Sequence, residues 1–247
     1  MISCPGVQGR RTLRVMGEQT YPSRVLVADD HPLMRSAFVS ILSYGRNLEV
    51  VGEAKDGREA VAMCEKLRPD LVLMDVSMPV IDGIEATRRL KERLPGVVVL
   101  VVTAHEDEEV MLSAIRAGAA GYVLKGDDPS RLISAVNEAL SGESPMDPRL
   151  SAKLLRRLAA EETNPDGRTG RTVEEVPKAA PPVSLTPREL EVLERVVAGK
   201  TNRLISQELH VSLSTVKRHL ERVVAKLGVS DRTQAAVKAI ELGLLPE

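Results

Sequence analysis

Between Arg24 and Leu140, short apolar runs alternate five times with amphipathic helical patterns, a rhythm that few folds can satisfy. Val25–Ala28 precedes Leu33–Ser43, Val50–Ala54 precedes Arg58–Leu67, and Leu71–Met74 precedes Ile84–Leu94. Val97–Val102 then precedes Glu109–Ala117, and Gly121–Leu124 precedes Leu132–Leu140. Runs nearly continuous in Val and Leu suit strands buried on both faces, as in a parallel sheet covered by helices on either side. The expectation is a doubly wound α/β domain of five strands and five helices.

After Gly142 the rhythm weakens. Ser151–Ala160 can form one more amphipathic helix, and Glu161–Pro182 is rich in Pro, Gly, Thr and charge, as befits a linker. Pro181 and Pro182 favour extended backbone, which predicts a flexible tether with a stiffened end. Helical signals return at Thr186-Pro187-Arg188-Glu189: Thr186 can cap, Pro187 suits the first helical position, and Glu189 can complete a capping box. Gly199 ends that helix, and Asn202–Leu209 makes a second. Ser212 caps a third running to Leu227, which Gly228 stops before Asp231–Leu242. The resulting boundaries are an N-terminal extension over 1–22, expected to be disordered, an α/β domain over 23–145, a linker over 146–183, and an all-α four-helix domain over 184–247. Met16-Gly17 offers an alternative start, and the residues before Met16 are expected to be dispensable.

A chain of 247 residues exceeds the usual single domain of roughly 100–150 residues, in keeping with two folded units. Its longest purely apolar run, Val97–Val102, is far shorter than the ~20 residues of a membrane helix. Met1–Tyr21 lacks the apolar stretch of a secretory signal, so a cytoplasmic protein with no membrane partner is expected. Cys4 and Cys64 suggest neither a disulfide framework nor a metal cluster, and both are read as free thiols. The formal net charge of −1 is unevenly spread: residues 22–145 hold 14 Lys/Arg against 20 Asp/Glu, and residues 184–247 hold 10 against 8. An acidic unit before a mildly basic one fits a signalling domain joined to a nucleic-acid-binding one, and the motifs must decide.

Asp29-Asp30 follow the first apolar run, Asp75 the third, Thr103 the fourth and Lys125 the fifth. In an open parallel sheet the carboxyl ends of the strands share one edge. In flavodoxin-like (βα)5 order the first and third strands flank the point where strand order reverses, so these side chains converge in one crevice. Three carboxylates gathered there repel one another unless a hard cation intervenes. Mg²⁺ suits a few carboxylates that leave positions for water and phosphate oxygens. Lys125 can set an ammonium against a transferred phosphoryl group, and the Thr103 hydroxyl can bond one of its oxygens. Taken singly, Asp29 and Asp30 would cap the helix near Leu33 and the others would be loop residues; together they describe a phosphorylation site at Asp75. His31 and His105 flank the crevice, but a transition-metal site needs more His or Cys, so both are read as loop residues.

The segments Val25-Leu-Val-Ala-Asp-Asp-His-Pro32, Leu73-Met-Asp75, Met78-Pro79-Val-Ile-Asp-Gly83, Thr103-Ala104 and Gly121-Tyr-Val-Leu-Lys125 resemble the receiver domain of bacterial response regulators. The resemblance covers about half the chain. It implies that Asp75 accepts phosphate from a sensor histidine kinase and that Asp29, Asp30, Asp75 and the backbone carbonyl of Ser77 hold Mg²⁺. It further implies that Thr103 and Tyr122 form a switch pair whose inward turn changes the surface of the fourth and fifth helices. Tyr122 has a plainer reading as an aromatic packed at a sheet edge, and both stand at this point.

In the tail, the second and third helices and the connection His210-Val-Ser-Leu213 have the proportions of a helix-turn-helix. Val216, Leu220, Val223, Val224 and Leu227 form an apolar stripe, leaving Ser214, Thr215, Lys217, Arg218, Glu221 and Arg222 on other faces. Hydroxyls and basic groups at the start of such a helix can reach phosphates and base edges in the major groove. The plainer reading is a solvated face on a protein-binding bundle. Leu185-Thr-Pro-Arg-Glu189, Glu191-Val-Leu193, Ser212, Thr215-Val-Lys-Arg-His-Leu220 and Lys226-Leu-Gly-Val229 resemble the LuxR-type DNA-binding domain, and the whole resembles the NarL/FixJ subfamily. That resemblance implies DNA contacts by Lys217 and Arg218, with Thr215 near a phosphate. Glu221 departs from the basic residue usual at its position, which leaves base preference there open unless it accepts from a cytosine amino group. Val237, Ile240 and Leu244 form either a core seam or a dimer contact.

The sequence thus reads as a two-component response regulator without an external substrate. DNA-binding residues are expected at Ser214, Thr215, Lys217, Arg218 and Arg222. Partners are expected to be double-stranded promoter DNA, a sensor histidine kinase, the transcription machinery, and a second copy when phosphorylated or on DNA. A phosphorylation-controlled protein-binding module and a phosphate-independent transcription factor are the competing readings. Few aromatics and no Trp disfavour single-strand stacking.

Overall fold

The computed structural model describes residues 21–104, 107–143, 145–146, 153–155, 157 and 184–244. Cys4, His105, the Met16 start and most of the linker lie outside them. Strands β1 (Ser23–Ala28), β2 (Leu48–Ala54), β3 (Leu71–Asp75), β4 (Val98–Thr103) and β5 (Gly121–Leu124) alternate with helices α1 (Pro32–Ser43), α2 (Gly57–Leu67), α3 (Gly83–Arg93), α4 (Glu108–Ala117) and α5 (Pro129–Leu140). The sheet order is β2-β1-β3-β4-β5 with every pair parallel. That is the flavodoxin-like order, with its reversal between β1 and β3.

Alternation along each strand divides the core into two layers. Leu26, Ala28, Val72, Met74, Val99 and Val101 face α2, α3 and α4 through Ala60, Cys64, Ala86, Leu90 and Ala114. Val25, Val27, Leu71, Leu73, Leu100 and Val102 face α1 and α5 through Phe38, Leu42, Leu132, Val136 and Ala139. Cys64 is a buried free thiol, and desolvation pushes it up to about 12, so it serves as packing. Both Asp75 and Thr103 are the last residues of their strands rather than the first residues past them.

The tail comprises α6 (Pro187–Val197), α7 (Asn202–Glu208), α8 (Leu213–Leu227) and α9 (Arg232–Glu241). Thr186, Thr201, Ser212 and Asp231 each cap the following helix by accepting a backbone N–H three residues on. The expected capping box of Thr186 and Glu189 is complete. Leu193, Val223, Leu227, Ala235 and Ala239 fill one tail cluster.

The two units are packed together. Met111, Leu112 and Ile115 of α4 share a buried cluster with Val192, Val196, Ile205, Val216, Leu220, Ala236 and Val237 of the tail. Met146, Leu154 and Leu155 join it, so the part of the 146–183 connection that precedes the expected tether contributes to the core. Residues 153–155 and 157 are helical, within the expected Ser151–Ala160 helix. Val237 and Ile240 lie in this interdomain cluster and Leu244 borders the tail core, so within one chain the Val237–Leu244 seam is already covered. Among the described residues no helix is long and apolar enough to cross a membrane.

Glu189 gives the tail a measurable acid dependence. Burial would raise its carboxyl, but the Lys226 ammonium at 2.6 Å and the Thr186 amide at 2.8 Å outweigh burial and hold it down to about 2. A depressed carboxylate stabilises the fold above its ordinary value of 4.5 and loses that contribution as pH falls toward 2. Glu189→Gln, which keeps an acceptor for the capping box, should unfold at lower urea than the wild type at pH 7. The gap should close by about pH 2.

Candidate functional site

The carboxyl ends of β1, β3 and β5 bring Asp29, Asp75 and Lys125 together. Asp29 and Asp75 are almost fully buried, at 0% and 2% exposure. Lys125 Nζ donates to Asp75 Oδ2 at 2.8 Å and lies 2.9 Å from Asp29 Oδ2. The second contact is an ion pair without hydrogen-bond geometry, so Asp29 Oδ2 is a buried oxygen with no directed donor. Asp29 Oδ1 accepts from the His31 amide at 2.8 Å. Burial raises the Asp75 carboxyl above its ordinary value, with the Asp29 charge adding to that, against the opposing pull of Lys125 and the Ser77 amide. Lys125 is held above its ordinary value because its two carboxylate partners outweigh its own burial.

Thr103 is buried at the end of β4, and its carbonyl accepts the Lys125 amide at 2.8 Å, fixing β5 where its lysine reaches the acids. The β3–α3 loop is shaped by a close approach at Gly83. A Cβ there would lie 1.9 Å from the Asp75 carbonyl oxygen, so only glycine allows α3 to start against β3. That turn carries Ser77, whose amide reaches the Asp75 carboxylate.

Asp30 is partly exposed, and its Oδ1 meets His31 Nδ1 at 2.6 Å. Asp29, Asp30 and His31 thus form one group of ligand-bearing side chains. His31 is also the N-cap of α1 and makes no side-chain cap bond, so neither aspartate plays the plain capping role open to it from sequence. The donor set fits a hard divalent cation: two carboxylates on β1's end, a third on β3, and a buried Asp29 oxygen whose neighbour is an ammonium without hydrogen-bond geometry.

Tyr122, on β5, is partly buried and packs against both the α2–α3–α4 layer and the interdomain cluster. The plain packing reading therefore holds, and the packing connects two bodies. Sequence reasoning missed the residues that join them. Thr233 Oγ1 donates to the Ala120 carbonyl at 2.8 Å, and Gln234 Nε2 donates to the Ile115 and Ala119 carbonyls at 3.0 and 2.8 Å. Lys91 Nζ donates to Ser230 Oγ at 2.5 Å. The signal available in sequence was α4 itself, whose Met111, Leu112 and Ile115 add an apolar face beyond the one the sheet needs.

On α8, Ser214, Arg218 and Arg222 are exposed, and Thr215 and Lys217 are half-buried. The Ser212 hydroxyl lies 2.8 Å from both the Ser214 and Thr215 hydroxyls. Lys217 Nζ pairs at 2.9 Å with Glu143 Oε1, which follows α5. Glu221 is exposed beside Arg222.

Residues 25–137 match the family described as the response regulator receiver domain, and residues 183–239 match the family described as bacterial regulatory proteins, luxR family. The chain is 39% identical to the transcriptional regulatory protein DegU of Brevibacillus brevis, over 92% of this chain and 98% of the relative. It is 38% identical to the transcriptional regulatory protein LiaR of Bacillus subtilis (strain 168), over 87% of this chain and 96% of the relative. A crystal structure of a two-component response regulator, LuxR family, from Aurantimonas sp. SI85-9A1 is 33% identical with a TM-score of 0.51, covering 55% of this chain and 97% of that one.

Two substitutions test this geometry. Gly83→Ala should cost about 1–3 kcal/mol in urea unfolding, because the added methyl must displace backbone. Lys125→Met leaves two buried carboxylates without their cation and should cost on the order of 3 kcal/mol at pH 7. Millimolar Mg²⁺ should recover more stability in Lys125→Met than in the wild type; no recovery in either protein would mean the acids do not bind it.

Proposed function

This chain belongs to the NarL/FixJ, LuxR-type response regulators of two-component systems, and from that premise we propose that its phosphoryl acceptor is Asp75. The protein regulates transcription through a receiver domain coupled to a LuxR-type DNA-binding domain, with a histidine kinase and DNA as partners implied by those domains. The observation that carries the assignment is the Lys125 ammonium bound to both buried carboxylates.

The Asp75 carboxylate attacks the phosphorus of a phosphohistidine, the P–N bond breaks and the kinase's imidazole leaves with a proton from solvent, and Lys125 stays close enough to offset the charge the new oxygens bring. Thr103, buried at the neighbouring strand end, offers its hydroxyl to one of those oxygens. Asp29, Asp30, Asp75 and the Ser77 carbonyl would hold Mg²⁺, which when bound neutralises the charge that builds on the transferred group. The chain turns over no external substrate in this reading.

Thr103 and Tyr122 then act as the switch pair. Tyr122 borders the cluster that holds the tail, so its inward turn removes packing from the α4 side of that cluster. Release lets two tails pair as a homodimer on double-stranded promoter DNA in the cytoplasm and engage the transcription machinery. Ser214, Thr215, Lys217, Arg218 and Arg222 make the contacts, the basic groups serving phosphates and base edges.

Intact-mass measurement after incubation with Mg²⁺ and a small acyl-phosphate donor tests the acceptor. One phosphoryl group should appear on the wild type and none on Asp75→Asn or without Mg²⁺. Addition to Asp75→Asn would move the site elsewhere, and failure with both small donors and candidate kinases would favour a phosphate-independent regulator.

A further inference from the structure

The receiver covers the tail unevenly. Its grip falls on the start of α9, where Ser230, Asp231, Arg232 and Thr233 are all nearly fully buried. The reading face of α8 is treated differently. Leu213, Ser214, Arg218, Glu221 and Arg222 are exposed. On this helix the receiver's Glu143 carboxylate meets the Lys217 ammonium.

From this arrangement we infer that the compact form is itself competent to bind duplex DNA, and that Glu143 occupies the Lys217 ammonium in place of a DNA acceptor. The inference rests on the tail being a DNA binder and adds what the receiver withholds. Glu143 follows Gly142, whose φ of +73° turns the chain out of α5, and its amide is tied to the Glu138 carbonyl at 2.8 Å. The carboxylate is therefore presented from a fixed turn. Both partners keep more than a third of their side-chain surface in solvent, 39% for Lys217 and 36% for Glu143, so the pair is one that phosphate can displace. A cation released from Glu143 onto DNA displaces one more counterion from the duplex, and the salt dependence of binding records it.

The test uses the full-length, unphosphorylated protein and a fluorescent random-sequence duplex, with anisotropy read between about 50 and 200 mM salt. The wild type should bind. Glu143→Gln should bind about two- to fivefold tighter at fixed salt, the range of an exposed ion pair. Its log K should fall more steeply with log salt, by about 0.9 in slope. The gain should vanish when Glu143→Gln is combined with Lys217→Ala. An unchanged affinity and slope in Glu143→Gln, or a gain that survives Lys217→Ala, overturns the inference. Binding by the wild type only after acyl-phosphate treatment overturns it too, while leaving the tail a DNA binder. Absence of binding in either state overturns both.

Discussion

Two carboxylates at the same sheet edge, each cut off from water, cannot share a charge-stabilising solvent, and the Lys125 ammonium between Asp29 and Asp75 is what lets both remain there. The rest of the receiver follows from that requirement. The acids come from β1 and β3, neighbours at the reversal of strand order, and the lysine must arrive from β5, two strands beyond β3. A parallel sheet alone puts all three at one edge, and the helical crossovers that make it parallel cover its faces. The backbone bond from the Lys125 amide to the Thr103 carbonyl keeps the lysine at the right height along that edge.

Strand β5 is only Gly121–Leu124, and its two ends touch different partners. Past one end, Lys125 holds the buried acids; before the other, the Ala120 carbonyl accepts Thr233 of the tail. Between them lies Tyr122, packed on both bodies. A change in the charge at Asp75 alters the partners of the residue just past this strand, and a short strand paired along its whole length to β4 has little freedom to absorb a displacement locally. Contiguity supplies a path here, whereas coupling along it is a free energy that only measurement on both states assigns.

What was legible in the sequence was whatever depends on period and position. Continuous runs such as those of β3 and β4 can be buried on two faces only in a covered parallel sheet, and Asp75 and Thr103 at their ends then had to share one sheet edge. The caps Thr186 and Ser212 were legible for a similar local reason: a side-chain oxygen within reach of an amide three residues on. Contacts between distant segments carry no such period. Nothing in the local pattern of Thr233 or Gln234 says that their donors find carbonyls at the end of α4, over a hundred residues away. Leu154 and Leu155 sit beside a stretch whose composition reads as tether, and their burial follows from the second apolar face of α4. That face was the one hint available, since an amphipathic helix on a sheet needs one stripe and α4 carries more.

The chemistry of the interdomain contact bears on whether it can open. Its apolar part, Met111, Leu112 and Ile115 against Val196, Ala236 and Val237, favours closure in proportion to the area removed from water. Its polar part favours neither state strongly, because on opening Thr233 and Gln234 exchange protein acceptors for water and Ser230 exchanges the Lys91 donor. Arg232 tilts the balance toward opening. Its guanidinium is buried with neutral acceptors, Asn202 Oδ1 at 3.1 Å and the Lys200 carbonyl at 2.7 Å, and desolvation lowers it to about 10 despite the opposing charge of Glu143. Among the described residues no carboxylate is in contact with this buried cation, which makes its burial costly, and opening the interface returns it toward water. Glu143 therefore acts on two cations at once, as the direct partner of Lys217 and as the more distant charge that makes the burial of Arg232 tolerable. A single acidic residue at the end of the receiver can thereby hold both the reading helix and the last helix without covering the DNA face.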